Sequence, residues 1–199
     1  MTGRTRWVAA ALGVALGSSP ARAHLDSTGL GPAYDGAMHV LASPEDLVPV
    51  LALALFAGLR GATQARRVLF ALPGAWLAGA LLGLGAPAAQ GSAVVSAVVF
   101  LVLGALVAAD ATLPRPVTTG TAILVGLYHG YLNGTGMGAT RDSAVALLGL
   151  TAVVFVLTAI TAGFVTWLRA DWSRIAVRVV GSWIAASGLL LLGWAARRG

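Results

Sequence analysis

Residues 43–59, SPEDLVPVLALALFAGL, join a polar helix-start signal directly to an apolar run. Ser43 and Pro44 are typical of the N-cap and the first helical position, and Glu45 and Asp46 then fall in the first turn, where acidic side chains complement the helix dipole. The apolar run is slightly shorter than the ~20 residues that cross a bilayer as a helix. The stretch therefore predicts a membrane helix with carboxylates at its mouth.

Further apolar segments follow, and the sequence contains six in total: 44–59, 68–86, 92–109, 117–136, 143–168 and 175–196. Hydrophobic residues make up 58% of the 199 residues, charged residues 10%, and 26 residues are glycine. This composition suits membrane helices that pack with close backbone contacts. We therefore expect an all-α fold, a polytopic membrane helical bundle of about six transmembrane helices formed by one domain, residues 24–199. The first three and the last three helices would form two halves with opposite orientations in the membrane, a 3+3 inverted arrangement.

The first 23 residues have the features of a secretory signal peptide. Arg4 and Arg6 form its charged region, residues 7–17 its apolar region, and residues 21–23, Ala-Arg-Ala, its cleavage site. Cleavage would leave His24 as a periplasmic N-terminus and the rest of the chain in the bacterial inner membrane. An uncleaved anchor is the alternative.

The cationic side chains, all 13 of them arginines, support this orientation. With the mature N-terminus outside, the loops predicted inside carry Arg60, Arg66, Arg67, Arg115, Arg169 and Arg174, and the outside loop and tail carry Arg141, Arg197 and Arg198. The excess inside follows the positive-inside rule. The C-terminal pair Arg197 and Arg198 opposes it and keeps open a five-span alternative with an inner tail. Because the arginines lie between apolar segments and form no stripe, nucleic-acid binding is disfavoured.

Chemically active side chains concentrate just before and at the start of the first apolar segment. Four of the seven acidic residues and two of the three histidines lie between residues 24 and 46: His24, Asp26, Asp35, His39, Glu45 and Asp46. Charge is expensive in lipid, and imidazole with carboxylate is the ligand set that borderline divalent metals accept. The concentration predicts a metal site at the outer end of the bundle.

Simpler interpretations exist for several of these residues. Helix capping alone could explain Glu45 and Asp46. Asp35 could orient the imidazole of His39, four residues later, or form only a surface ion pair with it. A free amine and imidazole at His24 could chelate copper or nickel, and an unstructured N-terminus is the alternative.

The third histidine, His129, lies inside the fourth segment, in YHGYLNG at residues 128–134. It is 12 residues past Val117, hence ~18 Å along a helix that rises ~1.5 Å per residue, which predicts the same depth as His39. Asn133 follows one turn later on the same face. An intramembrane imidazole beside an amide is a functional candidate, so the two histidines are expected to share one ion. Every fourth residue nearby is a glycine, which predicts close helix packing at Gly126, Gly130, Gly134 and Gly138.

The stretches that carry these candidates also carry a family resemblance. They are residues 24–26 (HLD), 29–32 (GLGP), 34–36 (YDG), 43–53 (SPEDLVPVLAL) and 129–134 (HGYLNG). From His24 nearly to the C-terminus the sequence resembles the HupE/UreJ family of hydrogenase and urease accessory permeases. The resemblance implies a cleaved signal peptide, a helical inner-membrane bundle and nickel uptake, with cobalt as a related cargo and metalloenzyme maturation proteins as partners.

The resemblance is to a divergent branch of that family. Members of the best-known type carry a His, five residues and then Asp-His near the first span, and a His-Gly-x-x-His-Gly pattern in a later span. Here His39 and His129 match the first histidine of each pattern, but Glu45-Asp46 replaces the Asp-His pair and Asn133 replaces the second histidine. Fewer imidazoles and more oxygen ligands should weaken the hold on nickel or copper. The expected metal ligands are His39, His129, Asp46, Glu45, Asp35, Asn133 and His24.

The sequence thus predicts an inner-membrane secondary permease for a divalent transition metal, nickel first and cobalt second, with no enzyme activity and no cofactor besides the metal. A membrane-embedded accessory protein that delivers metal, copper included, without transporting it is the main alternative. A serine hydrolase would pair His129 with Ser143, Ser182 or Ser187, but no nucleophile motif surrounds these serines. A structural subunit of a larger membrane complex is the last alternative, and the oligomeric state is left open.

Other charges near the segment ends are expected to be structural. Asp110 ends the third segment, near Arg115, and is expected to be solvated. Arg174 and Arg178 should reach the membrane interface, with Asp171 as a partner.

Overall fold

The computed structural model describes residues 28–197. The predicted signal peptide, residues 1–23, and the proposed ligand His24 lie outside the described residues. Within residues 28–197 the chain forms seven helices and no strand, which confirms the all-α prediction. The helices are α1 (Pro32–Ala42), α2 (Pro44–Leu59), α3 (Ala62–Gly83), α4 (Ala93–Ala108), α5 (Arg115–Gly134), α6 (Arg141–Trp167) and α7 (Asp171–Ala196).

Each of the six predicted apolar segments corresponds to one helix, from α2 to α7. Segment 44–59 is reproduced as α2 with both ends unshifted. Helix α3 begins at Ala62, before the predicted start at 68, because a helix can continue past its apolar part when long side chains such as Arg66 and Arg67 extend to the polar interface. The sequence does not predict α1, since the run of glycines and proline at 29–32 indicates only a turn.

Helix α2 is the central helix of the described structure. It contacts each of the other six helices, and 10 of its 16 residues are buried. Val50 and Leu53 are fully buried and belong to the main apolar core with Leu72 and Trp76 of α3 and Leu150 of α6. Because α2 runs through the core, Asp46 in its first turn lies next to buried side chains of α5.

Helices α2 to α7 run alternately between two ends of the bundle. Gly58, near the end of α2, lies against Val165, near the end of α6. Arg174, near the start of α7, reaches Asp110, which follows α4. Gly188, late in α7, returns to the first half of α4. We call the end with Asp46, His129 and His39 the histidine end, and the end with Arg60, Asp110 and Arg174 the arginine end.

Three helices, α3, α6 and α7, are long and apolar enough to cross a membrane. Helices α1 and α2 pass the same test only together, as a pair bent by 76°. Helix α4, with 16 residues, is shorter, and α5 carries polar residues, among them His129 and Asn133, that lower its hydropathy. Length and composition in residues 28–197 thus support three spans, or four with the bent pair, and the six-span, 3+3 arrangement stays a prediction.

Helices α3 and α5 run parallel with their backbones in contact. Three glycines of α5 face main-chain oxygens of α3: Gly126, Gly130 and Gly134. At Gly130 the facing oxygen belongs to Trp76, and a Cβ at this position would overlap it. The prediction of close packing is confirmed for these three glycines, whereas Gly138 lies beyond the end of α5. The contact fixes the height of α5 relative to α3 and therefore the height of His129 relative to Trp76.

At the arginine end, the carboxylate of one residue, Asp110, lies between two guanidinium groups and joins helices to each other. Asp110 pairs with Arg60, at the C-terminus of α2, and with Arg174 of α7 at 3.1 Å. Arg178 donates from Nε to the last main-chain oxygen of α4 at 2.9 Å. The prediction that Asp110 is solvated is therefore wrong, because two arginines cover its carboxylate and leave the side chain 26% exposed. The partner of Arg174 is Asp110 instead of Asp171.

Candidate metal-binding site

Asp46 enters the site because of the way α2 begins. Ser43 is the N-cap, in an extended conformation with φ −102°, and Pro44 takes the first helical position, as predicted. The side chain of Ser43 forms no capping hydrogen bond, and the Asp46 N–H donates to the main-chain oxygen of Ser43 at 3.0 Å. The Asp46 side chain, 6% exposed, reaches across to α5. Capping alone therefore does not explain this residue.

The carboxylate of Asp46 joins α2 to α5 through both of its oxygens. Oδ1 lies 2.9 Å from Nδ1 of His129, and Oδ2 accepts a hydrogen bond of 3.1 Å from Nδ2 of Asn133. The same amide nitrogen donates to the main-chain oxygen of His129 at 2.8 Å. His129 is 2% and Asn133 9% exposed. Two residues predicted to share one face of α5 thus bind one buried carboxylate of α2.

This contact determines which nitrogen of His129 keeps a lone pair. A carboxylate accepts hydrogen bonds, so Nδ1 carries the proton and donates a hydrogen bond to Asp46. Nε2 is then the nitrogen with the lone pair. Nε2 is buried and has no hydrogen-bond partner among residues 28–197, and the same is true of Oδ1 of Asn133. Buried polar atoms are rarely left unpaired, because their desolvation is then uncompensated. An imidazole held by a carboxylate through one nitrogen, with the other nitrogen free to bind, is the arrangement of metal-ligating histidines.

His39 approaches the same carboxylate from α1. Its Nε2 lies 3.8 Å from Oδ2 of Asp46, and its side chain is 24% exposed. Helices α1 and α2 meet at the 76° bend, which places the last turn of α1 beside the first turn of α2. The structure therefore brings two imidazoles that are far apart in sequence to one carboxylate, with His39 half-buried and His129 buried.

Two aromatic rings contact the imidazole of His129. Trp76, which is fully buried, stacks on it with ring centroids 5.4 Å apart and planes 26° apart. Tyr128 meets it edge-on at 5.2 Å and 88°, and the Tyr128 hydroxyl accepts a hydrogen bond from the Ser92 N–H before α4. Trp76 is not among the site residues that the sequence predicts. Its position in the middle of an apolar segment, away from the interfacial belts where tryptophan is common, is the signal that could have indicated it.

The remaining proposed ligands are not part of this cluster. Asp35 accepts hydrogen bonds from the N–H and the hydroxyl of Thr28, at 2.6 and 2.7 Å, and none from His39. Glu45 is exposed and forms no hydrogen bond or ion pair with any residue of 28–197. His24 lies outside the described residues. The roles of these three residues as ligands stay predictions.

In the part of the chain that the structure describes, no three His, Asp or Glu side chains are placed to hold a metal ion by themselves. The sequence also contains no cysteine. Around His129, the described residues can supply only part of a coordination sphere, namely Nε2 of His129 and the amide oxygen of Asn133, and water would have to supply the rest. Such an incomplete ligand set suits an ion that is bound and released, whereas structural metals have closed sites.

The serines required by the hydrolase alternative do not meet His129 within residues 28–197. Ser182 and Ser187 donate to main-chain oxygens of their own helix at 3.1 and 2.9 Å. Ser143 shares a hydrogen bond with Thr140 at the start of α6. None of the three forms the nucleophile–base contact on which that alternative depends.

A protein-family model described as HupE / UreJ protein matches residues 12–191, which is most of the chain and includes every residue of the cluster. Comparisons with curated proteins and with solved structures found no match.

Proposed function

The chain belongs to the HupE/UreJ family, and from this membership we propose that it is an inner-membrane secondary permease that takes up a divalent transition metal ion, nickel first and cobalt second. The observation that carries the proposal is the buried contact of Asp46 with His129 and Asn133. It supplies a negative charge, an imidazole and an amide in an apolar bundle, where none of them would be retained without a partner or a function.

The ligand chemistry supports a borderline metal as cargo. Imidazole nitrogen suits nickel, cobalt, copper and zinc, whereas carboxylate and amide oxygens suit harder ions. His129 would bind the ion through Nε2, since its Nδ1 is held by Asp46. Asp46 would then act as the anion that orients the imidazole and offsets part of the charge of the ion. Asn133 would contribute Oδ1, the atom that its other contacts leave unpaired.

The difference in exposure between the two histidines supports a direction of movement. His39 is half-buried, 3.8 Å from Asp46, and His129 is buried on the other side of the same carboxylate. We propose that His39 captures the ion from the periplasmic side and that Asp46 passes it to His129 and Asn133. Rocking of one part of the bundle against the other would then open the arginine end to the cytoplasm.

The driving force in this proposal is electrical. The sequence contains no lysine and therefore no phosphate-binding loop of the Gly-x-x-x-x-Gly-Lys type. Two positive charges that move inward across the membrane gain ~4.6 kcal/mol per 100 mV. This is enough to concentrate an ion inside without ATP.

The test is accumulation of radioactive nickel by liposomes that contain the purified full-length chain and carry an inside-negative potential. We expect uptake by the wild type and a loss of about tenfold or more in His129→Ala, because the orienting and ligating groups of such sites typically contribute that much. Leu124→Ala, on the lipid-facing side of the same helix where Leu124 is 70% exposed, is the matched control.

Accumulation of radioactive cobalt, copper and zinc in the same assay ranks the cargo ions, and cobalt should come second to nickel. As a competitor of nickel uptake, copper should be stronger than cobalt, because nitrogen and oxygen ligands hold copper more tightly. A wild-type chain that binds nickel in titrations but accumulates none in liposomes would contradict the permease and indicate a delivery protein. A His129→Ala variant that transports as well as Leu124→Ala would exclude this site from transport.

A further inference from the structure

Trp76 stacks on the imidazole of His129. The two ring centroids are 5.4 Å apart and the planes are 26° apart, and no part of Trp76 is exposed. Gly130, the residue after His129, packs directly on the main-chain oxygen of Trp76. The indole and the imidazole are therefore held together both by their rings and by their backbones.

The contact with Asp46 alone does not fix the imidazole. A hydrogen bond tolerates a range of angles, so the ring can still turn by a limited amount about the bond that joins it to the Cβ of His129, and this turn redirects the Nε2 lone pair. A flat ring stacked on the face of the imidazole blocks the turn, and the edge contact of Tyr128 at 5.2 Å limits it from a second direction. The direction of the Nε2 lone pair is thus set by Asp46 and Trp76 together.

Core packing does not account for the choice of tryptophan here. A buried indole normally finds an acceptor for its N–H, yet Nε1 of Trp76 is buried without a hydrogen-bond partner among residues 28–197. Phenylalanine or leucine would fill apolar space without the cost of desolvating that group. A flat face toward His129 is the property that leucine would lack, and an indole offers a larger face than the ring of phenylalanine does.

We propose that Trp76 is a positioning residue for the transported ion: its indole face holds the His129 imidazole in the orientation in which Nε2 binds a divalent transition metal. This inference rests on the proposed function, because it takes His129 as a ligand of the cargo. Metal affinity and ligand geometry should therefore depend on the ring at position 76 and not only on the donor atoms.

The experiment uses the purified full-length chain in detergent with Co²⁺ as the probe, because the visible absorption bands of this ion report its ligand geometry. Trp76→Leu should shift these bands and weaken Co²⁺ binding about tenfold, the lower end of what supporting residues around metal ligands contribute. Trp76→Phe keeps a flat ring and should retain the wild-type band positions, with a smaller loss of affinity. Trp183→Phe, at a position that is 73% exposed, is the matched control and should leave both unchanged.

A Trp76→Leu variant with wild-type bands and affinity would overturn the proposal and leave Trp76 a packing residue. If Trp76→Leu does not fold, the intrinsic fluorescence of the other variants decides. Co²⁺ bound at His129 should quench the stacked indole, so Trp76→Phe should lose most of the metal-dependent quenching and Trp183→Phe should keep it. Equal quenching in these two variants would likewise overturn the proposal.

These outcomes separate the positioning role from the permease. A wild type that binds Co²⁺ with a Trp76-dependent spectrum but accumulates no metal in liposomes retains the positioning role and loses the permease function. A wild type that accumulates metal while the Trp76→Leu spectrum is unchanged retains the permease function and loses the positioning role. A wild type that binds no Co²⁺ overturns both.

Discussion

The two ends of the bundle each contain one aspartate that ties separate helices together, but its partners differ. At the histidine end, Asp46 is shared by the imidazole of His129 and the amide of Asn133. At the arginine end, Asp110 is shared by the guanidinium groups of Arg60 and Arg174. Both carboxylates are largely covered by protein, so the burial of a charge does not by itself distinguish them.

The partner decides what each carboxylate can do. A guanidinium group remains protonated and has no lone pair, so the pair of arginines neutralises Asp110 and repels any cation. An imidazole that donates through Nδ1 keeps a lone pair on Nε2, and it can therefore bind a cation while it is held by Asp46. The same residue type thus ties helices together at the arginine end and, in the proposed function, helps the histidine end to receive an ion.

The largest effect is expected from Asp46→Asn. The change keeps the shape of the side chain and removes the charge that holds His129 and offsets the ion, so nickel affinity and nickel uptake should fall about 100-fold. Titration calorimetry and liposome uptake measure the two quantities. Asp142→Asn, which removes an exposed carboxylate at the start of α6, is the control and should change neither. Wild-type nickel affinity in Asp46→Asn would contradict the different roles assigned to the carboxylates of Asp46 and Asp110.

Asp110→Asn should change stability and leave binding intact. Two guanidinium groups lose their counter-charge, and because Asp110 is 26% and Arg174 40% exposed, the expected loss in free energy of unfolding is about 2 kcal/mol, below the value for a fully buried pair. Denaturation in detergent measures this loss. Nickel affinity should stay within about twofold of the wild type, since a substitution at a distant, independent site usually does not change the energetics of the other site. A strong loss of affinity at unchanged stability would show that the arginine end takes part in binding.

A pair of glycine substitutions sharpens the same comparison. Gly130→Ala forces α5 away from Trp76 at the histidine end, and Gly181→Ala forces α7 away from α4 toward the arginine end. Each should cost about 1–2 kcal/mol of unfolding free energy by overpacking. Only Gly130→Ala should also weaken nickel binding, because it displaces His129 from the indole. Gly120→Ala, in open space on the same helix as Gly130, should change neither the unfolding free energy by this amount nor nickel binding.

The smallest effect is expected from His39→Ala. Its side chain is 24% exposed and lies 3.8 Å from Asp46, so its contribution should resemble that of a solvent-accessible ion pair and lower nickel affinity about threefold. The initial rate of uptake at low nickel concentration is the measurement that detects it. A loss as large as that of Asp46→Asn would make His39 a principal ligand and place the ion closer to α1.

Much of the helical course could be predicted from sequence, because apolar length and helix-start residues act locally. Segment 44–59 coincides with α2, and the glycines at 126, 130 and 134 indicate the contact that they form. Helix α1 could not be predicted, because the glycine-rich residues before it resemble a turn and its stability comes from packing on α6, where Gly36 lies against Ala146. Local signals carry no information about that contact.

The candidate site could be predicted only in part. The sequence indicated four residues of the site by their polar side chains beside or within apolar runs: His39, Asp46, His129 and Asn133. The structure brings these four together. The same rule also pointed to Asp35 and Glu45, which lie outside the cluster, because composition cannot tell which face of a helix a carboxylate occupies. Trp76 was not predicted: its place in the middle of an apolar segment marks it as unusual, but does not tell whether its ring faces a site or only the core.

The sequence by itself determined that the chain forms apolar helices, which stretches form their apolar parts, and which few polar side chains they carry, since these follow from local chain geometry and from the cost of charge in lipid. Only the tertiary structure decided that Asp46 binds a histidine 83 residues away, that arginines surround Asp110, and that an indole covers His129. The physical reason is that such contacts depend on the relative height and rotation of packed helices, which are set by glycine contacts in several of the described helices.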